Sequence, residues 1–276
     1  MTAQQVALVT GATSGIGEAT AHRLHARGYL VFATGRNPRA LDALRSRGLQ
    51  ARALDVTDEA AVARLVEEID AEHGGVQVLV NSAGYPLACP LEQVALADLR
   101  KLFETNVVAT LHLAQAVLPR MRTRGAGRII TIGSTGGRFT SPGAGGYHIV
   151  KYGVEALSLA LGAEVAQFGV RAVLIDPTGV RTRFVASQLT ETHDYPDDDP
   201  YKAFKQRYAE TTRALTKMPG VMVDADTVAR VVLRVVRARN PKPRYVVGTS
   251  ARASLLARAL LTDRMWDRMM MSRLTS

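Results

Sequence analysis

The sequence predicts an α/β protein: one doubly wound parallel sheet with helices on both faces, followed by a C-terminal lid and helical extension. Three observations predict it. Short apolar runs alternate with helix-period stretches from the start of the chain. A glycine-rich turn, Thr10-Gly11-Ala12-Thr13-Ser14-Gly15-Ile16-Gly17, comes straight out of the first apolar run and opens a helix. The 276 residues suffice for one large α/β domain and leave too little for a second core.

Taken in order, residues 5–10, 29–34, 49–54, 76–81, 127–132 and 171–175 read as buried strands. Residues 15–27, 38–46, 58–73, 96–122 and 145–168 read as the helices between them. Asp58 and Asp98 are expected to cap their helices, and Pro119 to mark where the fourth helix ends. Right-handed crossovers then bring ligands to the carboxyl edge of the sheet. After Pro177 the pattern loosens. Residues 181–220 contain the turn-rich acidic stretch Tyr195-Pro196-Asp197-Asp198-Asp199-Pro200, then a helical reading over 201–215, and are expected to form a lid. An amphipathic helix over 224–239, a strand over 244–247 and a final helix over 251–271 complete the chain. In that last helix Leu255, Leu256, Ala259, Leu260, Trp266, Met269 and Met270 are expected on one side. The whole, 1–276, reads as one domain: a core over 1–180, the lid over 181–220, and C-terminal helices with the last strand over 221–276.

Composition narrows the partners. No apolar run approaches the ~20 residues that cross a bilayer. The first residues lack a basic segment followed by an apolar stretch, so a cytoplasmic protein is expected. The single Cys89 excludes an internal disulfide, and the six histidines show no ligand spacing, so no metal is expected. Charge is unevenly placed: residues 1–201 carry 19 basic and 20 acidic side chains, residues 202–276 carry 16 and 5. The basic tail suits an anionic partner or a merely solvated set of helix faces. No aromatic series or recognition motif points to nucleic acid, whereas an amphipathic final helix leaves a membrane-surface contact open.

The chemistry sits at Tyr147-His148-Ile149-Val150-Lys151. A phenol titrates near ~10, so its use as an acid or base near neutrality asks for a shift of about 3 units, roughly 4 kcal/mol. A lysine four residues further along a helix shares its face and is expected to supply part of that shift by favouring phenolate. In the glycine loop, Gly11, Gly15 and Gly17 permit a tight turn and a close approach of backbone amides to a pyrophosphate, above a helix N-terminus. A glycine turn without a ligand is the plainer alternative.

With its Gly-x-x-x-Gly-x-Gly spacing, and with Thr13, Ser14 and Ile16 as they stand, the loop resembles the short-chain dehydrogenase/reductase family. The resemblance extends over residues 6–182. It implies a Rossmann-type fold in which Asp55 and Val56 meet adenine, and Asn81, Ala83 and Gly84 line the cofactor cleft. By the same resemblance Asn106 holds a water relay to the lysine, Ser134 lies the usual 13 residues before the catalytic Tyr147, and Lys151 also binds the nicotinamide ribose. Pro177, Val180 and Thr182 fall on the nicotinamide-side loop, with Thr178 where the family commonly has glycine. Each residue has a structural alternative: Asp55 a helix cap, Asn106 a helix bend, Ser134 a strand-end turn. They coincide, however, at the ends of successive strands.

Charge argues the cofactor. Where an NAD enzyme of this type has a carboxylate at the end of the second strand, this chain has Gly35 followed by Arg36. A guanidinium pairs with a 2′-phosphate that a carboxylate would repel, so NADP(H) is expected. Arg39 either assists or is an exposed helix-start residue. The expected activity is interconversion of a ketone or aldehyde with an alcohol. The segment Thr34-Gly35-Arg36-Asn37-Pro38 is similar to the hydroxysteroid and retinol dehydrogenase branch, which implies a hydrophobic small-molecule substrate, with Phe184, Leu189, Tyr195 and Phe204 as lid side chains near it. Family analogy further implies a homodimer or homotetramer through the helices at 96–122 and 145–168, the latter offering Ala156, Leu157, Ala160, Leu161, Ala163 and Glu164. A non-catalytic cofactor-binding regulator is the competing class.

Overall fold

The computed structural model describes residues 4–182 and 196–275. Strands β1 (Val6–Val9), β2 (Leu30–Gly35), β3 (Gln50–Ala53), β4 (Val78–Asn81), β5 (Gly127–Ile132), β6 (Val170–Pro177) and β9 (Arg244–Val247) form one sheet in the order β3-β2-β1-β4-β5-β6-β9. Every pairing is parallel. Parallel strands need crossovers, and the helices supply them. The chain winds outward from β1 in both directions, so a crevice opens between the carboxyl ends of β1 and β4. A short parallel pair, β7 (Val180–Arg181) with β8 (Val223–Asp224), lies beyond β6 and is tied by the Arg181–Asp224 ion pair at 2.9 Å.

Two apolar layers hold the sheet. On one face α1 (Gly15–His25), α2 (Pro38–Arg45) and α8 (Ala225–Arg237) bury Ala21, Leu24, Leu41, Leu44, Val228 and Val232 against Val9, Val31 and Ile175. On the other, α3 (Glu59–His73), α5 (Ala109–Arg124) and α6 (Gly145–Val165) bury Val62, Ile69, Leu113, Met121, Leu161 and Val165 against Leu8, Leu79 and Ile129. Fully burying one such side chain contributes about 1.5–3 kcal/mol, which is why the strands read as continuous apolar runs. Leu161 therefore belongs to the core, while Ala156, Ala160, Ala163 and Glu164 face outward.

One local expectation holds and three need correction. Asp58 does cap α3, accepting from Ala61 N–H at 2.9 Å. Asp98 does not cap: α4 (Leu96–Phe103) starts after Ala95, and Asp98 sits in the first turn, where a carboxylate still suits the helix dipole. Between α4 and α5 the expected continuous helix widens into a π-turn over Glu104–Val108 that carries Asn106. Pro119 does not end α5, which runs on to a left-handed Gly125. Its ring faces solvent, and burial of Val117 and Met121 on the opposite side outweighs the lost backbone hydrogen bond.

At the C-terminus the single expected helix is two, α9 (Thr249–Leu260) and α10 (Asp263–Thr275). Thr262 breaks the run: its Oγ1 accepts from Met265 N–H at 3.4 Å and its carbonyl accepts from Trp266 N–H at 2.9 Å. The expected apolar face divides accordingly, with Trp266 and Met270 buried and Leu256 and Leu260 exposed. In the expected lid, helix α7 (Lys202–Lys217) is present, and Phe204 is half-buried, edge-on to Tyr201. Phe184, Leu189 and Tyr195 lie outside the described residues. No helix among the described residues is long and apolar enough to cross a membrane.

Candidate active site

A cavity of about 520 Å³ occupies the crevice at the carboxyl edge of the sheet. Its floor at one end is the loop between β1 and α1, which contributes Gly11, Thr13, Ser14, Gly15 and Ile16. Gly11 and Gly15 adopt left-handed φ of 64° and 57°, open to glycine at no steric cost. At Gly17 a Cβ would collide with the Gly11 carbonyl oxygen, so the residue sits beneath the loop rather than on the cavity wall. Ser14 precedes α1 without making a side-chain cap. The first-turn amides of α1 therefore keep their capacity to donate, which is the property an anionic group seeks at a helix N-terminus.

Along the outer wall stand Arg36, Leu54, Asp55 and Val56. Asp55 is fixed by its neighbour: Thr57 donates to Oδ1 from its backbone at 3.0 Å and from its hydroxyl at 2.8 Å, and these bonds lower the carboxyl's pKa. Arg36 reaches Asp55 at 3.5 Å and leaves 75 % of its side chain exposed. Ala83 and Gly84 line the inner wall below β4, where Thr10 Oγ1 accepts from the amides of Ser82 and Ala83 at 3.1 and 3.3 Å.

Asn81 and Asn106 stand behind the wall. Both are buried. Neither polar atom of the Asn81 side chain has a hydrogen-bond partner, and Asn106 spends Nδ2 on the Leu102 carbonyl at 3.0 Å while its Oδ1 stays unpartnered beside Gly84. The π-turn presents that oxygen inward, a placement that a regular helix period does not foretell.

At the inner end α6 sets Tyr147 and Lys151 on one face, both on the cavity wall with Ser134 from the end of β5. Ser134 and Tyr147 are joined by a side-chain hydrogen bond, and Ser134 Oγ also accepts from Gly136 N–H at 3.0 Å. The turn after Ser134 is pressed onto α6, where a Cβ at Gly137 would lie 2.6 Å from the Lys151 carbonyl oxygen. Buried His148 clamps the same turn: Nδ1 meets the Gly136 carbonyl at 2.8 Å and Nε2 accepts from Ser141 N–H at 3.1 Å. Since Nε2 accepts, the proton is on Nδ1 and the ring is neutral.

The electrostatics depart from the sequence expectation. Burial pushes the Tyr147 phenol up to about 12, with the Ser134 hydrogen bond opposing it. Burial also brings the Lys151 ammonium down to about 8, with Asp176 opposing it. Lys151 lies 5.7 Å from the Tyr147 ring centroid and donates to the Ile132 carbonyl at 3.3 Å. Desolvation outweighs that neighbour, so the phenol stays protonated and is poised as a donor.

Pro177, Thr178, Gly179, Val180 and Thr182, after β6, complete the wall of the cavity. Thr182 approaches Gly15 across the opening, its Cγ2 lying 2.9 Å from where a Cβ would stand. Every expected site residue except Gly17, Asn81 and Asn106 thus lines one cavity. Sequence reading misses Tyr85, Pro86 and Thr105, which also line it, and buried Asp176 beneath it. Tyr85 follows Asn81-Ser82-Ala83-Gly84 directly, and its position just past a strand end is the available signal.

Comparison with known proteins places this arrangement. A family model described as short chain dehydrogenase matches residues 5–193. The NADPH-dependent 3-dehydrocapnine reductase of Ornithobacterium rhinotracheale is 32% identical over 271 residues, covering 95% of this chain and 94% of that protein. The human 17-beta-hydroxysteroid dehydrogenase type 1 is 32% identical over 273 residues, covering 95% and 82%. Among solved structures, a single-residue variant of actinorhodin polyketide ketoreductase with NADPH superimposes with a TM-score of 0.75 at 32% identity, covering 88% of this chain and 95% of that one. The family match spans well over half the sequence, and the chain belongs to the short-chain dehydrogenases, oxidoreductases that bind a nicotinamide cofactor.

Proposed function

We propose that the protein is an NADP(H)-dependent oxidoreductase that interconverts a hydrophobic ketone or aldehyde with its alcohol. The observation that carries the reading is the hydrogen-bonded Ser134–Tyr147 pair beside Lys151 on the wall of a glycine-floored cleft. A dinucleotide in the cleft is supported by the loop, where Gly11 and Gly15 line the cavity with left-handed φ, and by α1, which has no side-chain cap toward it. Residues Gly11 to Ile16 would hold the pyrophosphate, Asp55 and Val56 the adenine, and Val180 and Thr182 the nicotinamide side. Arg36, largely exposed with only a 3.5 Å contact to Asp55, would take the 2′-phosphate. The names of the reductase and ketoreductase above, both tied to NADPH, support that choice.

When bound, the nicotinamide supplies the hydride. The residues supply the rest. A carbonyl oxygen accepting from Ser134 and Tyr147 has two fixed donors where negative charge develops. Tyr147 delivers its proton to that oxygen, and the Lys151 ammonium near its ring stabilises the phenolate left behind. Asn106, with an unpartnered oxygen, is available to hold a water behind the site.

A second cavity of about 520 Å³ supports the apolar substrate class. Its lining combines Phe139, Leu215, Ala257, Trp266 and Met270 with the hydroxyl-bearing Ser141, Tyr208, Thr211, Thr212 and Ser254, and it shares Gly179 with the first. Similarity to a hydroxysteroid dehydrogenase agrees with it. On the outer surface Phe103, Leu111, Ile149, Tyr152 and Leu159 are exposed along α4 to α6, which supports pairing of copies as a homodimer or homotetramer.

Tyr147→Phe tests the assignment. Ketone reduction at saturating NADPH should fall at least a thousandfold while the Kd for NADPH stays within a few fold. A variant keeping a tenth of the wild-type rate sinks the mechanism.

A further inference from the structure

Two glycines flank Ser134 in its turn, and each is pressed against a carboxylate from behind. Gly133, just before Ser134, has no room for a side chain: a Cβ there would lie 2.3 Å from Oδ1 of Asp176, in β6. Gly137 is packed in the same way onto α6, where a Cβ would lie 2.6 Å from the Lys151 carbonyl oxygen and 3.3 Å from Glu155 Oε2. Between these two points the turn closes on itself, with Gly137 N–H donating to the Ser134 carbonyl at 2.9 Å. The place of Ser134 therefore depends on where Asp176 and Glu155 stand.

The two carboxylates share one cation. Arg244, on β9 at the edge of the sheet, brings Nε to 3.4 Å from Asp176 Oδ2 and donates from a terminal nitrogen to Glu155 Oε1. Arg138, at the end of the Ser134 turn, adds only a longer approach to the same Glu155 oxygen at 4.0 Å. Asp176 is fully buried, and the Glu155 and Arg244 side chains are largely so. Neither Asp176 oxygen has a hydrogen-bond partner, so the carboxylate depends on ion pairing to offset its burial. Burial pushes its pKa up to about 7, with Arg244 opposing that and Glu155 adding to it. Two like charges in a dry region repel, and a cation bonded to both turns the repulsion into a fixed spacing.

We propose that Arg244 is a positioning residue for Ser134: by joining Asp176 to Glu155 it braces both ends of the turn and keeps the serine hydroxyl on Tyr147. It stands outside the cavity wall and acts through the turn. His148 holds the middle of the same turn at the Gly136 carbonyl, so loss of the brace should displace Ser134 and leave the turn formed.

The inference rests on Ser134 having the role proposed above, and the experiment separates the two. Arg244→Gln removes the charge that joins the carboxylates, and it is combined with Ser134→Ala in a double-mutant cycle. At saturating NADPH, Arg244→Gln should lower kcat for ketone reduction by about 10- to 100-fold, the cost of a small misplacement at the reacting centre, with the Kd for NADPH unchanged. In the Ser134→Ala background the same substitution should leave kcat unchanged, because the hydroxyl it positions is gone. Arg244→Lys, which keeps the charge and loses the fork, should recover part of the rate. In parallel the proteins carry tyrosine labelled with ¹³C at Cζ, and the Tyr147 signal is assigned as the one missing in Tyr147→Phe. Ser134→Ala should shift that signal by removing its hydrogen-bond partner, and Arg244→Gln should shift it in the same direction. If Arg244→Gln does not fold, Arg244→Lys is carried through the same cycle and the same spectra, with a smaller loss expected. Equal losses of kcat in both backgrounds overturn the inference, as does a Tyr147 signal that substitution of Arg244 leaves in place. If the wild type reduces no ketone, the proposed function fails, and the Tyr147 signal still decides the brace.

Discussion

Arg36 and Asp55 face each other at 3.5 Å across the outer end of the cleft, one from the residue after β2 and the other just past β3. The contact is long and exposed, so it constrains the guanidinium weakly and contributes little stability. Arg36 is therefore available to a 2′-phosphate. Arg36→Ala should raise KM for NADPH by about 10- to 100-fold, the loss of one or two charge-assisted hydrogen bonds, and leave KM for NADH nearly unchanged. Equal effects on both cofactors, in parallel initial-rate titrations, would remove the assignment. Converting Gly35 to aspartate is not the way to recruit NAD here, because its Cβ would fall 2.5 Å from Thr13 Cγ2.

Much of this is legible in the sequence for a physical reason. Parallel strands buried on both faces must be apolar almost throughout, so β1 and β4 stand out as apolar runs, and glycines pressed against backbone, such as Gly11 and Gly17, cannot be replaced by anything larger. Misreadings arise where tertiary burial overrides local rules, as at Pro119, or where a single capping hydroxyl splits a helix, as at Thr262. The sign of the Tyr147 shift is also beyond reach. Spacing shows that Lys151 shares a face with Tyr147, but only burial shows that desolvation is the larger influence. Asp176 carries no periodic signal, since one acid at the end of an apolar strand looks like a loop residue.

His148 gives a stability prediction with a definite sign. Burial lowers its pKa below the ordinary value of 6.5, and its acceptor bond from Ser141 requires the neutral ring. A depressed histidine stabilises the fold above the unfolded-state pKa, and that contribution is lost as pH falls below about 6.5 toward the native value. Thermal unfolding of the wild type should thus lose Tm between pH 7 and pH 5. His148→Gln, which cannot take up a proton, should be less stable at pH 7 and show a shallower decline. Parallel slopes for the two proteins would show that the ring does not titrate in this way.

Pro119 offers a simple gain. It lies inside α5 with Gln115 and the ring both facing solvent, so the carbonyl one turn back lacks an amide donor. Pro119→Ala restores that bond and a good helix former. Against this stands the wider conformational freedom of the unfolded variant, worth about 0.4–1 kcal/mol. The helix interior penalty of about 3 kcal/mol is larger, so the balance should be a gain of about 2 kcal/mol, or a few degrees in Tm. A lower Tm in calorimetry would mean that the helix has already relaxed around the ring.

The second cavity bears on how the substrate is chosen. Trp266 closes it, donating to the Thr140 carbonyl at 3.4 Å and meeting Phe139 edge-on at 5.2 Å, so the loop following Ser134 and the C-terminal helix α10 share one apolar wall. Tyr208 packs over Gly143, lines this space and faces Tyr147. If the apolar part of the substrate extends there, each methylene buried adds about 0.8 kcal/mol, close to fourfold in kcat/KM. Across a homologous series of straight-chain ketones the wild type should gain by that factor per carbon until the cavity is full. Ala257 lines the far side, and Ala257→Trp fills the space from α9. The variant should lose the gain for longer ketones, so the ratio of long-chain to short-chain kcat/KM collapses toward one. A flat series in the wild type, or a ratio untouched by the substitution, would place the substrate entirely within the first cavity.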